Sequence, residues 1–110
     1  HLAFLHQKFT QALHIVFGMV NDKDISSVLQ ELPKDATYYF TKASVKRALP
    51  ENELLALAEE AGLKGTTYPT VVEAVQAAKK NCPPKDLIFV GGSSFIVADL
   101  LANRDTLNLY

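Results

Sequence analysis

Two short stretches hold the residues whose types and spacing could do chemistry. One is Gly18-Met19-Val20-Asn21-Asp22-Lys23-Asp24, the other Gly91-Gly92-Ser93-Ser94. In the first, Asp22 and Asp24 flank Lys23, so two carboxylates can fix an ammonium that points at an anionic group such as a substrate carboxylate. The same run also reads as a solvated loop in which Asp24 only caps the next helix. In the second, a glycine pair lets a ligand approach the backbone, and a following helix would offer free N–H groups to an anion. It reads equally as a tight turn with Ser93 as a helix cap. Arg47, in Ser44-Val45-Lys46-Arg47-Ala48, adds a guanidinium that can grip a carboxylate with two parallel bonds or stay on the surface.

Other chemistries lack their parts. The single cysteine, Cys82, rules out an internal disulfide and a thiolate metal site, and no histidine stands near it in sequence to activate it. His6 and His14 lack ligand spacing, and His14, inside an apolar run, reads as packed. There is no G-x-x-x-x-G-K-S/T phosphate loop and no G-x-G-x-x-G. No catalytic residue and no metal ligand is therefore assigned, and the chain lacks the usual equipment for gripping a nucleotide by itself.

The elements that position these loops follow from apolar spacing. Leu13 to Met19, closing at Gly18, and Asp86 to Val90, closing at Gly91, are short apolar runs of the kind buried centrally in a parallel sheet. Ala36 to Lys42 is a third, more aromatic strand, and Gly65 to Tyr68 a short fourth near an edge. Ile25, Val28, Leu29 and Leu32 make one helical face between Asp24 and Pro33. Leu54, Leu57, Ala58 and Ala61 make the next, between Pro50 and Gly62. Thr70 and Glu73 have capping-box spacing ahead of Val71, Ala74, Val75 and Ala78, with Lys79 and Lys80 suiting that helix's last turn. Ile96, Val97, Leu100 and Leu101 form a last helix begun by Ser93 or Ser94, and Leu2, Leu5 and Phe9 an opening one. The alternation predicts a three-layer, Rossmann-like α/β domain, with a mainly parallel sheet and helices on both faces. In such sheets ligands bind at the carboxyl ends of the strands, where both polar stretches fall.

A chain of 110 residues is one domain in size, and 48% hydrophobic with 21% charged residues is ordinary for a soluble one. A net charge of −1 with scattered lysines gives no field toward nucleic acid or an anionic membrane. No apolar run is long enough to span a bilayer, and the start does not resemble a signal peptide, so a cytoplasmic location is expected. His1 opens the chain without a methionine, and a helix with no strand before it implies a lost first strand. Residues 1–110 are therefore expected to be a single domain cut from a larger protein.

Four segments in order, IVFGMVNDKDI, YYFTKASVKRAL, the pair ELLALAEEAG and TVVEAVQAAKK, and DLIFVGGSSFIVADLL, resemble the C-terminal domain of folylpolyglutamate synthase/dihydrofolate synthase, in the Mur ligase superfamily. The likeness covers about residues 13 to 102. It implies one domain of an ATP- and Mg2+-dependent ligase that joins glutamate to dihydropteroate or a folate, inactive alone without its N-terminal P-loop domain. By the resemblance Lys23 would hold a glutamate carboxylate with Ser93 or Ser94, Arg47 would stand beside it, and Gly18, Asp22, Asp24, Gly91 and Gly92 would shape the loops. The family's Asp-Gly-Ala-His-Asn element has no match here. A flavodoxin-like signalling module, such as a receiver domain, is the alternative, although its acidic pair and lone Asp are not placed as that class needs. A Rossmann-type cofactor domain is a third reading, weakened by the missing G-x-G-x-x-G.

Overall fold

The computed structural model describes residues 13–21, 24–82 and 87–107. The opening helix expected at Leu2, Leu5 and Phe9 lies outside them, as do Asp22 and Lys23. The order is β1 (Leu13–Gly18), α1 (Ile25–Glu31), β2 (Thr37–Phe40), α2 (Glu51–Glu60), β3 (Gly65–Thr67), α3 (Val71–Asn81), β4 (Leu87–Gly92), α4 (Ser94–Ala102) and α5 (Arg104–Leu107). The strands form one sheet in the order β3-β2-β1-β4, parallel throughout. The expected α/β architecture is therefore the one observed.

β1 is one of the two inner strands of this sheet, and all six of its residues are buried. Alternate side chains feed two cores. Leu13, Ile15, Phe17, Tyr38 and Phe40 pack with Ile25, Leu29, Leu54 and Ala58 from α1 and α2. Val16 and Tyr39 pack on the other face with Val71, Ala74, Val75, Ala78 and Ile96 from α3 and α4. Each large apolar side chain so buried contributes about 1.5–3 kcal/mol, and the two layers pin β1 from both faces.

The apolar run of β4 promised a second central strand, and there the structure differs. Leu87, Ile88, Phe89 and Val90 are only half-buried, because β4 pairs with β1 and is the outer strand among the described residues. The short β3 closes the opposite side, as its length suggested.

Helix ends follow local chemistry in most places. Glu73 N–H donates to Thr70 Oγ1 at 3.2 Å, and the Thr70 hydroxyl lies 3.1 Å from Glu73 Oε2, so the capping pair forms. At the end of α2, Leu63 N–H reaches the Ala58 carbonyl and Gly62 N–H the Glu59 carbonyl, the Schellman pattern. Asp24 is a correction: it stands at the N-cap position of α1, yet its side chain makes no capping bond. Its carbonyl accepts from Val28 N–H instead, at 3.2 Å.

Candidate functional site

From β1 the chain builds β2 and β3 to one side, then crosses to place β4 on the other. The order thus reverses between β1 and β4, and at such a switch point the loops at the carboxyl ends diverge and leave a ligand crevice. The flavodoxin-like alternative would have required the order 2-1-3-4, which is not the one observed.

The switch point is built around Gly18 and Gly92, which are partners in the β1–β4 register. A Cβ on Gly92 would lie 2.1 Å from the Gly18 carbonyl oxygen, and its φ of 103° is one that side chains resist. A Cβ on Gly18 would lie 2.5 Å from Ile96 Cδ1 and 2.6 Å from the Thr41 carbonyl oxygen. Both positions need glycine so that two strand ends and α4 can meet. Gly91 differs: a Cβ there would meet nothing closer than Phe89, at 4.0 Å. Of the expected glycine pair, only the second member is sterically required.

Ser93 N–H donates to the Gly18 carbonyl at 2.8 Å, extending the β1–β4 contact past the sheet. Ser93 Oγ accepts from Phe95 N–H at 3.0 Å, so Ser93, rather than Ser94, caps α4. Among the described residues the Ser93 hydroxyl proton is given no acceptor. Ser94 is the first residue of α4 and is exposed.

The β2 exit joins the same cluster. Val20 and Ala48 form an antiparallel bridge, Asn21 N–H donates to the Arg47 carbonyl at 2.7 Å, and Leu49 N–H to the Met19 carbonyl at 2.8 Å. Arg47, exposed, is thereby held against the loop that runs on to Lys23. The structure thus gathers Gly18, Gly91, Gly92, Ser93, Ser94 and Arg47 at one end of the sheet, with Asp24 at the start of α1. Asp22 and Lys23 lie outside the described residues.

Two features here carried no sequence signal. Thr41, fully buried just after β2, has an Oγ1 without a hydrogen-bond partner among the described residues. Asp99 of α4 takes two bonds from Ser44, the backbone N–H to Oδ2 at 2.8 Å and the hydroxyl to Oδ1 at 2.9 Å. A groove of about 350 Å3 lies beside that pair, lined in part by Thr70, Val71 and Asn103. Another, of about 450 Å3, lies among Lys34, Thr37, Lys64 and Thr66 at the amino ends of β2 and β3. Volume favours the second, but parallel sheets bind ligands at the other end, where the backbones of the β1, β2 and β4 exits are bonded to one another.

Burial raises the phenol pKa of Tyr38, with the charge of Asp35 adding to it, and burial likewise raises that of Tyr39. Both sit inside the sheet rather than in the loops at its carboxyl end. Among the described residues no three His, Cys, Asp or Glu side chains are grouped to hold a metal ion, and no helix is long and apolar enough to cross a membrane.

Residues 1–94 match the family model described as "Mur ligase, glutamate ligase domain". The chain is 33% identical over 101 residues to the dihydrofolate synthase/folylpolyglutamate synthase of Buchnera aphidicola subsp. Schizaphis graminum, covering 89% of this chain and 23% of that protein. It is 32% identical over 90 residues to a probable bifunctional folylpolyglutamate synthase/dihydropteroate synthase of Haloferax volcanii, covering 79% and 10%. The chain therefore spans less than a quarter of either relative. Among solved structures, E. coli FolC in complex with ADP, without folate substrate, superposes with a TM-score of 0.78 at 22% identity, over 97% of this chain and 26% of that one. The bifunctional folylpolyglutamate synthase/dihydrofolate synthase of Yersinia pestis, complexed with AMPPNP and Mn ion, gives 0.70 at 22% identity, over 94% and 24%. At these identities the structures establish the fold.

Proposed function

This chain belongs to the Mur ligase glutamate ligase domain family, and from that premise we propose that it is the glutamate-presenting domain of a cytoplasmic, ATP-dependent ligase that joins glutamate to dihydropteroate or a folate. The observation that carries the reading is the gathering of three strand exits at the β1/β4 switch point, with a helix N-terminus among them. The folate activities for which the Buchnera and Haloferax relatives are named favour the pterin acids as the second substrate.

In this reading the Lys23 ammonium and the Ser93 hydroxyl hold one carboxylate of glutamate, with Ser94 at the same helix start and Arg47 alongside. A carboxylate at a helix N-terminus gains from the helix dipole and from charge-assisted bonds. Holding glutamate by a carboxylate leaves its amine free to form the new amide. ATP with Mg2+ supplies the activation of the pterin acid in the whole enzyme. The residues described here do not fit that nucleotide: they group no metal ligands, and the sequence has no phosphate-cradling loop. We therefore assign both to the remainder of the enzyme, in an N-terminal P-loop domain, and route no step through them on this chain.

The test uses the whole open reading frame that contains this chain. Incubated with ATP, Mg2+, glutamate and either dihydropteroate or a folate, it should release ADP only when all are present, with a product heavier by one glutamyl residue. The 110-residue chain alone should release no ADP above a heat-treated control. Release that ignores glutamate, or turnover by the chain alone, would refute the assignment.

A further inference from the structure

Asp99 is the only charged residue in α4, SFIVADLLA, and it stands in the last turn of that helix. A carboxylate there opposes the helix dipole, so its position works against the helix that carries it. What it does instead is receive two bonds from Ser44, 55 residues away, through Oδ2 and Oδ1. It shares the stripe of Ile96, which packs over Gly18, and of Leu100 in the same core. Ser44 opens the turn that ends at Arg47, and Arg47 in turn accepts from Asn21 at the exit of β1. The start of α4 is itself tied to β1 by the bond from Ser93 to Gly18.

These contacts close a ring: β1 exit to α4 start, along α4 to Asp99, across to Ser44, through the turn to Arg47, and back to the β1 exit. We infer that Asp99 is a positioning residue, a brace that fixes the Arg47 turn and the β1 exit loop relative to the Ser93 helix start. The inference deepens the proposed glutamate site and rests on it for its functional consequence. The brace itself is a property of the chain. A carboxylate suits the task because it accepts from an N–H and an O–H of one residue at once, and such bonds are the stronger kind.

The experiment has two arms. In the 110-residue chain, amide hydrogen exchange is followed by NMR in the wild type and in Asp99→Ala. Ser44 N–H loses its acceptor directly, so its faster exchange decides nothing. The informative amides are Asn21 and Leu49, which bond across the ring. They should exchange roughly tenfold faster, whereas Thr41 N–H, bonded to Phe17 within the sheet, should hold its rate. Asp99→Asn, which keeps one acceptor oxygen, should fall between, and Ser44→Thr should match the wild type. If Asp99→Ala does not fold, Ser44→Ala removes only the hydroxyl bond and should shift the same two amides less. Unchanged Asn21 and Leu49 in a folded variant overturn the brace.

In the whole enzyme, Asp99→Ala should raise the KM for glutamate at least about fivefold, since misplacing a binding group by an ångström can cost up to about a hundredfold. The KM for ATP should stay put. An unchanged glutamate KM beside faster Asn21 exchange overturns the functional half. A wild-type enzyme that ignores glutamate refutes the proposed function instead, and the exchange arm still judges the brace.

Discussion

Lys23 and Ser93 are the side chains on which the glutamate reading is most exposed to test. A hydrogen bond to a charged group contributes about 1.5–3 kcal/mol, and 1.4 kcal/mol is about a factor of ten. In the whole enzyme Lys23→Ala should therefore raise the KM for glutamate about tenfold to a hundredfold and leave the KM for ATP nearly unchanged. Ser93→Ala should do likewise, and it should also lose about 1 kcal/mol of stability, because its Oγ caps α4. Two groups on one carboxylate should be non-additive in a double-mutant cycle. Wild-type glutamate KM in both single variants would refute the assignment. Thr41 invites a different measurement. Its buried Oγ1, without a partner among the described residues, costs about 1–3 kcal/mol as a desolvated group, so Thr41→Val, of the same shape, should stabilise the chain by about 1 kcal/mol. A fall in Tm would show that the hydroxyl has a partner, such as a buried water.

At the scale of elements, the junction of β1, β4 and α4 decides whether the site exists at all. Gly92→Ala puts a Cβ against the Gly18 carbonyl oxygen and a side chain at positive φ, which together should cost about 3 kcal/mol and lower the Tm by about 10 °C or more. Gly91→Ala faces open space and should fall within about 0.5 kcal/mol of the wild type. Equal Tm values for the two variants would contradict the junction. The elements themselves were legible where one local signal sufficed: LHIVFG as a strand, Thr70 and Glu73 as a helix start, Gly62 as a helix end. The same apolar signal in LIFV marked a strand but not its rank, because a run of apolar residues does not record what covers its far edge. Asp24 had the right residue type for a cap and makes no capping bond. The bonds that assemble the site, Ser93 to Gly18, Arg47 to Asn21 and Ser44 to Asp99, join residues far apart in sequence. No periodicity encodes them. Loop residue types were therefore readable and their mutual fixation was not.

The whole molecule is two cores sharing one sheet, and β2 sends a tyrosine into each. Tyr38 packs among residues of α1 and α2, its ring stacked on Phe40 and its hydroxyl donating to the Pro33 carbonyl at 2.6 Å. Tyr39 enters the other core, near Tyr68, with its oxygen 2.8 Å from His14 Nδ1. Burial raises both phenol pKa values, and for Tyr38 the charge of Asp35 adds to the effect. A phenol whose native pKa exceeds its unfolded value of about 10 holds its proton more tightly when folded. The stability it contributes is complete below about pH 10 and is lost as pH rises through the native value. Because adjacent residues of one strand serve opposite cores, ionising them strains both layers together. Alkaline unfolding should accordingly be a single transition, with the late part of the tyrosinate absorbance rising in step with the loss of far-ultraviolet circular dichroism. Tyr38→Phe removes the ionisable group and keeps the ring, at the expense of the bond to Pro33. It should lower stability at neutral pH by about 1 kcal/mol and make the decline above pH 10 shallower. If all the tyrosines ionise while the circular dichroism signal stays native, the two-core burial of this pair is wrong.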